Sequence, residues 1–239
     1  MSQLSQRVYA HWLSWRYQIG RNKYQHPELL RAYYQQDLPE LAQSWLTAPY
    51  LALDFETTGL NPRDDQILSM GWVAAQGGEI TLGQHQHLLV APQQPLAESS
   101  VVIHEITDDQ AACGLPMQQA LEQLIHALKG RVLIAHNARF ELAFLQRAVT
   151  KHTQGRLVLP VIDTMQLAKR RLDREHKPQE RGALRLDALR QRYGLPRYKA
   201  HHALVDALAT AELFSAIAQH HSPKRPQTLQ ELLYPYWWQ

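Results

Sequence analysis

Leu51-Ala52-Leu53-Asp54-Phe55-Glu56-Thr57-Thr58-Gly59-Leu60 is the stretch whose reading decides the fold. It opens as an apolar run of the kind that forms a buried strand. Two carboxylates then follow at alternate positions, and alternate side chains of a strand share a face. Asp54 and Glu56 are therefore expected to project together, with Phe55 turned the other way into a core. Side-by-side anions repel and are costly to bury unpaired. A hard divalent cation, which takes oxygen ligands, is the usual remedy. Thr57-Thr58-Gly59 then turns the chain sharply. Taken alone, the stretch reads equally well as an ordinary strand end with two solvated acids.

Downstream, Ile67 to Ala75 and Glu79 to Val90 flank the hairpin signal Gly77-Gly78, so both are read as antiparallel strands. Pro92 and Pro95 open a loop that leads to Val101 to Thr107. A helix is expected from Pro116 to Lys129, burying Leu121, Leu124, Ile125 and Leu128 and ending at Gly130. Arg131 to His136 follows as a short parallel strand, and Asn137 is read as the cap of a helix from Ala138 to about Thr150. Leu157 to Ile162 is read as a strand, with a helix from Asp163-Thr164, a polar loop over 173–183 and a short helix from Leu184 to Tyr193. The last long helix runs from Ala203 to His220. Hairpins followed by alternating strand and helix predict an α/β domain with a mixed sheet flanked by helices.

Residues 1–47 differ in composition, being rich in Trp, Tyr and Gln. Leu4, Val8, Trp12, Trp15 and Ile19 recur at helical spacing, with Gly20 as a stop. Two more helices are expected, from Pro27 to Gln36 and from Asp37 to Leu46. The division predicted is a helical extension over 1–47, a main domain over 48–221 and a C-terminal tail over 222–239 that folds back. The 239 residues suffice for a core without disulfides, and the single cysteine, Cys113, fits a reducing compartment. No apolar run reaches the length of a membrane span, and the N-terminus lacks the layout of a signal peptide. A soluble, cytoplasmic protein is expected.

The net charge of +3 is modest, but its distribution is uneven. Residues 147–199 hold 14 Lys and Arg against 5 Asp and Glu. Such a stretch is either a solvated helical face or a footprint for a phosphate backbone.

Two further places carry clustered chemistry: His136-Asn137-Ala138-Arg139-Phe140-Glu141, where a strand gives way to a helix, and His201-His202-Ala203-Leu204-Val205-Asp206, at the start of the last long helix. Ligand sites of α/β sheets gather at such strand ends. With Asp54-Phe55-Glu56-Thr57-Thr58-Gly59, these stretches resemble, in order, the three motifs of the DnaQ-like exonucleases of the DEDDh type. That family includes the proofreading epsilon subunit of bacterial DNA polymerase III, ribonuclease T and oligoribonuclease. The likeness runs from about Ala48 to Ala218, and His104-Glu105-Ile106-Thr107 resembles the family's His-Gly-Ile-Thr element.

The resemblance implies a ribonuclease H-like fold. It also implies a 3′→5′ exonuclease that releases nucleoside 5′-monophosphates using two Mg²⁺ or Mn²⁺ ions. Asp54, Glu56, Glu141 and Asp206 would be the metal ligands and His201 the general base. Thr57, Thr58, Gly59, Leu60, His104, Asn137 and Phe140 would meet the substrate. Helix geometry by itself would pair His202 with Asp206, since residues four apart share a face. The family spacing selects His201 instead. Asp163 is either a helix cap or part of the metal site. The sequence departs from the pattern at Glu141, where the family has Asp, and at Glu105, where it has Gly. The expected partner is nucleic acid with a free 3′ end, single-stranded DNA in the first instance. The alternatives are a polymerase-associated proofreading subunit, with a sliding-clamp peptide in Gln230 to Tyr234, and an inactive nucleic-acid-binding scaffold.

Overall fold

The computed structural model describes residues 3–24, 28–92, 113–174, 180–221 and 225–236. Five strands form one mixed sheet: β1 (Pro49–Thr57), β2 (Ile67–Gln76), β3 (Glu79–Leu89), β4 (Val132–Ala135) and β5 (Val161–Asp163). Their spatial order is β3-β2-β1-β4-β5. The hairpins make β1, β2 and β3 antiparallel, and β4 and β5 add to β1 in parallel. The opening strand is thus the middle of the sheet, as its long apolar run requires. In register, Gly71 stands opposite Asp54 on one side and His87 on the other. The segment Val101 to Thr107, with His104 and Glu105, lies outside the described residues.

Eight helices are described: α1 (Gln3–Lys23), α2 (Glu28–Gln35), α3 (Met117–Leu128), α4 (Arg139–Thr153), α5 (Thr164–Arg174), α6 (Leu186–Arg192), α7 (Ala203–His221) and α8 (Leu229–Leu232). The backbone of α7 comes down on Gly71, and so on the sheet face that carries Asp54. The other face holds Leu51 and Trp72, which line a cleft with Glu122 and Ala127 of α3. Helices therefore cover both faces, as the α/β reading expects. One apolar cluster runs from Tyr9 of α1 through the sheet to Tyr236 near the C-terminus.

Several local expectations fail for identifiable reasons. The buried face of α1 is Tyr9, Leu13 and Tyr17, whereas Leu4, Val8 and Trp15 are exposed. The tyrosines bury their rings because their hydroxyls find partners, as Tyr17 does in the carbonyls of Tyr33 and Gln36. Gly20 does not stop α1; a Cβ there would lie 2.4 Å from Cζ of Tyr34, so it marks a close approach. No α-helix forms over 37–46, where a single 3₁₀ turn, Trp45–Thr47, stands instead. Leu41, Gln43 and Trp45 spend backbone groups on Gln230, Leu229 and Gln227 of the tail, which an α-helix would not allow. The tail does fold back: Leu229, Leu232, Leu233 and Tyr236 are buried. The strand expected from Leu157 begins only at Val161. Ahead of it, Gln146 holds the backbone of Leu157 from both sides and Tyr34 accepts from the Val158 N–H.

Candidate active site

Asp54, Glu56 and Asp206 each bring a carboxylate oxygen to within 4.8 Å of the others. The first two come from alternate positions of β1, and Asp206 from the first turn of α7. The absent side chain at Gly71 allows the meeting. A Cβ there would stand 2.1 Å from the Leu204 nitrogen and 2.2 Å from the Ala203 carbonyl carbon. The Oδ2 atom of Asp206 accepts the backbone N–H groups of His201, at 2.8 Å, and His202, at 3.3 Å, tying the carboxylate to the turn ahead of its helix.

That turn sorts the two histidines. His201 adopts a left-handed backbone, with φ of 67°, and lines the cleft with Asp54, Glu141 and Asp206. His202 stacks on His87 of β3, with ring centroids 4.3 Å apart. His201 is thus in the cleft, and the helical pairing of His202 with Asp206 is not made by the ring.

The second motif is held from outside itself. Asn137 has φ of 67°, a conformation Asn tolerates, but it does not cap α4 with its side chain. The cap comes from Asp163 at the end of β5, which is 1% exposed. Its Oδ1 accepts the N–H groups of Asn137, Met165 and Gln166, and its Oδ2 accepts those of Ala138 and the hydroxyl of Tyr236. One carboxylate therefore caps both α4 and α5. His136 bridges Thr164 Oγ1 at 2.8 Å and the Leu184 carbonyl at 2.9 Å, and burial pulls its pKa down. The Leu184 carbonyl can only accept, so Nε2 carries the proton and donates to it, fixing the 180–185 segment over the cleft.

Glu141, in the first turn of α4, is 3% exposed, and its Oε2 is buried with no hydrogen-bond partner among the described residues. It stays outside the group of three converging carboxylates but close enough to act on Asp54. Burial raises the pKa of all four acids. For Asp54, Glu141, Asp206 and Glu56 add repulsion, and for Glu141 the neighbouring Asp163 does. Glu56 is pushed up to about 8, by burial first and Asp206 second. At Asp206 the N–H groups of His201 and His202 oppose the rise. An all-oxygen donor set, mutual repulsion and a bare buried Oε2 fit a hard divalent cation.

These residues line a cleft of about 630 Å³, with Phe55, Leu60, Phe140 and Met165 as its apolar wall. Asn137 is also on its lining. Leu60 is 83% exposed at the rim. Thr57 and Thr58 turn their hydroxyls to the Gly59 carbonyl and to Asp65, and a Cβ on Gly59 would lie 2.6 Å from the Asp65 carboxylate. A second groove of about 780 Å³ joins the first at Asp54, His136, His201 and Asp206 and runs past Arg197 and Tyr198. Its wall rests on Arg190, a buried cation that no motif indicated. Arg190 bonds the Ala209 and Pro196 carbonyls, pairs with Glu212 at 2.7 Å and lies 4.4 Å over the Tyr198 ring. The basic stretch is therefore divided: Arg190 is structural, Lys169 pairs with Asp173, and Arg185 and Arg197 are exposed along the groove.

A profile of the exonuclease family matches residues 51–214. The chain belongs to the DnaQ-like exonuclease family. Its curated relatives include the PolC-type DNA polymerase III of Thermotoga maritima, 33% identical over 167 residues, or 70% of this chain and 12% of the relative. That of Staphylococcus aureus is 28% identical over 172 residues, covering 72% and 11%. The chain thus spans about one eighth of the length of these relatives. Among solved structures, the cell-death related nuclease CRN-4 superposes with a TM-score of 0.64 at 17% identity, covering 73% of this chain and 65% of that one. E. coli Exonuclease I in complex with a 5cy-dT13 oligonucleotide gives 0.63 at 14%, covering 77% and 42%. Exonuclease X in complex with 5′ overhanging duplex DNA gives 0.58 at 23%, covering 77% and 98%. The DnaQ-like exonuclease domain and the ribonuclease H-like fold follow from these matches. No described helix is long and apolar enough to cross a membrane.

Proposed function

We propose that the protein is a metal-dependent 3′→5′ exonuclease that removes nucleoside 5′-monophosphates from single-stranded nucleic acid, DNA in the first instance. The observation that carries this reading is the meeting of Asp54, Glu56 and Asp206 oxygens within 4.8 Å, in a cleft that His201 and Glu141, with its unpartnered Oε2, also line. Asp54, Glu56 and Asp206 would hold one divalent ion, and Glu141 with Asp54 a second. Mg²⁺ or Mn²⁺ supplies Lewis acidity toward the phosphoryl oxygens. The apolar wall of Leu60, Phe140 and Met165 suits the terminal nucleoside. The joined groove, with Arg185 and Arg197, suits the phosphates of the strand behind it. His201 takes the proton of a water as its oxygen bonds to phosphorus. The bond to the 3′-oxygen breaks, and that oxygen is protonated from solvent.

Digestion of a 5′-labelled single strand with Mg²⁺ or Mn²⁺ tests the reading, with duplex DNA and RNA as parallel arms. A ladder of shortened 5′-labelled products is expected, lost in Asp54→Ala. No ladder from the native chain, or an undiminished one from the variant, overturns it. The PolC-type relatives favour a second reading, association with a DNA polymerase, for which co-purification is the test. The Gln230 to Tyr234 segment offers little to a clamp in this fold, because Leu232 and Leu233 are buried.

A further inference from the structure

The family match ends at residue 214, yet a side chain beyond it reaches Asp163, the carboxylate that holds the backbone of the second motif. The tail first pairs with the 41–45 segment, through the Leu229 and Gln230 N–H groups to the Gln43 and Leu41 carbonyls. It then meets β5, where the Tyr234 N–H donates to the Val161 carbonyl. Two residues on, Tyr236 is buried, and its hydroxyl donates to Asp163 Oδ2 at 2.7 Å. The α1 helix holds this strap down. The Gln6 side-chain amide donates to the Glu231 carbonyl at 2.7 Å, and the Tyr9 hydroxyl accepts the Tyr236 N–H at 3.3 Å. Asp163 in turn holds the N–H groups of Asn137 and Ala138, the turn from which α4 and Glu141 start.

We infer that Tyr236 is a positioning residue for Glu141: through Asp163 it fixes the turn that presents the fourth carboxylate to the metal site. The inference rests on the exonuclease reading for its activity arm only. A carboxylate has about four lone-pair positions, and Oδ2 is shared between one backbone donor and this hydroxyl. Without the hydroxyl, Oδ2 keeps a single donor deep in the protein, and Asp163 can swing toward its other partners. The Ala138 N–H would follow or be left unpaired, and either moves the first turn of α4. Glu141 is a long side chain carried on that turn, so a small rotation there is enlarged at its Oε2. The terminal segments would then do more than cover the core. They complete the support of a ligand that the family-matched portion carries without securing it fully.

The test is Tyr236→Phe in the full chain, which keeps the ring and its packing. Melting temperature and circular dichroism check the fold. Mn²⁺ affinity is read by calorimetry, and kcat and KM on a labelled single strand. The expected result is Mn²⁺ binding weakened roughly tenfold or more, and kcat lowered roughly ten- to a hundredfold with KM little changed. Tyr9→Phe loosens the same strap without touching Asp163, so it should leave Mn²⁺ affinity within about twofold of native. A cycle with Asp163→Asn should be strongly non-additive, because both changes act through one bond. Native Mn²⁺ affinity in a folded Tyr236→Phe chain, or equal weakening by Tyr9→Phe, overturns the inference while leaving the exonuclease reading intact. A native chain that binds Mn²⁺ and loses it on Tyr236→Phe, yet cleaves nothing, upholds the positioning and sinks the nuclease reading. A native chain that binds no Mn²⁺ overturns both.

Discussion

Substituting Gly71 by alanine should disable the site from a position that touches no substrate. A Cβ there would lie 2.1 Å from the Leu204 nitrogen, 2.2 Å from the Ala203 carbonyl carbon and 2.5 Å from its oxygen. All three are backbone atoms at the start of α7, so no rotamer change relieves them. Ordinary contacts between such atoms are about 3.5 Å, so the helix start must withdraw by more than about 1 Å. Asp206 lies on that first turn, and Gly71 pairs with Asp54 in register, so the withdrawal opens the Asp54–Asp206 meeting directly. Overpacking of this kind costs about 1–3 kcal/mol. A displacement of about 1 Å at a reacting centre costs on the order of a hundredfold in rate. The assay is kcat/KM on a labelled single strand well below the melting temperature, with Mn²⁺ affinity alongside. Gly83→Ala is the control, since a Cβ there meets nothing within 4 Å. Native kcat/KM and melting temperature in Gly71→Ala would refute the idea that the glycine seats α7.

His201→Ala should lose roughly a hundredfold or more in kcat, the usual scale for a general base, whereas His202→Ala, whose ring stacks on His87 away from the cleft, should stay within a few-fold; the opposite ranking refutes the assignment. In chelator, stability should fall as pH rises from near the ordinary Glu value toward about 8, because the Glu56 proton is held more tightly in the folded chain than in the unfolded one. The slope is at most about 1.4 kcal/mol per pH unit for one such group. Mn²⁺ replaces that proton, so its stabilisation should be larger at about pH 8 than at about pH 6; thermal melts with and without Mn²⁺ read both, and a flat profile in chelator refutes the carboxylate account. Arg190→Leu takes the cation from Glu212, which keeps the Tyr198 hydroxyl, and a donor from two carbonyls, at a cost near the lower end of about 3–5 kcal/mol because Glu212 is a quarter exposed. Denaturant titration measures the loss, and an unchanged midpoint refutes the clamp.

The convergence of the candidate site was legible in part from spacing, while the roles of Glu141, His201 and Asp206 came from the family resemblance. Two acids at alternate positions of an apolar run had to share a face, and Asp54 and Glu56 do. The hairpin and the strand-helix alternation likewise gave the sheet. What stayed hidden depends on partners far away in sequence. The 37–46 segment has residues that favour a helix but pairs with the tail instead. Asn137 has the right residue type for a cap, yet the cap belongs to Asp163, 26 residues on. The buried face of α1 escaped for a chemical reason. Counting Leu, Val, Trp and Ile as apolar puts the wrong stripe inside, because Tyr9 and Tyr17 bury more ring once their hydroxyls are bonded.

Asp163 illustrates why acids at one strand end part into two kinds. The family resemblance left it open whether Asp163 caps a helix or serves the metal. Its oxygens accept five hydrogen bonds, more than the roughly four lone-pair positions of a carboxylate comfortably supply. No position is left for a cation. Glu141, one turn into the helix that Asp163 caps, has the reverse condition: a buried Oε2 with no donor among the described residues. Asp54 and Asp206, on shorter side chains, meet where Gly71 leaves room for the start of α7. Asp163 thus spends its oxygens on backbone, whereas Glu141 keeps one buried oxygen that the proposed ion would engage. In the proposed site, the longer second-motif acid would therefore depend on the turn that Asp163 holds beneath it.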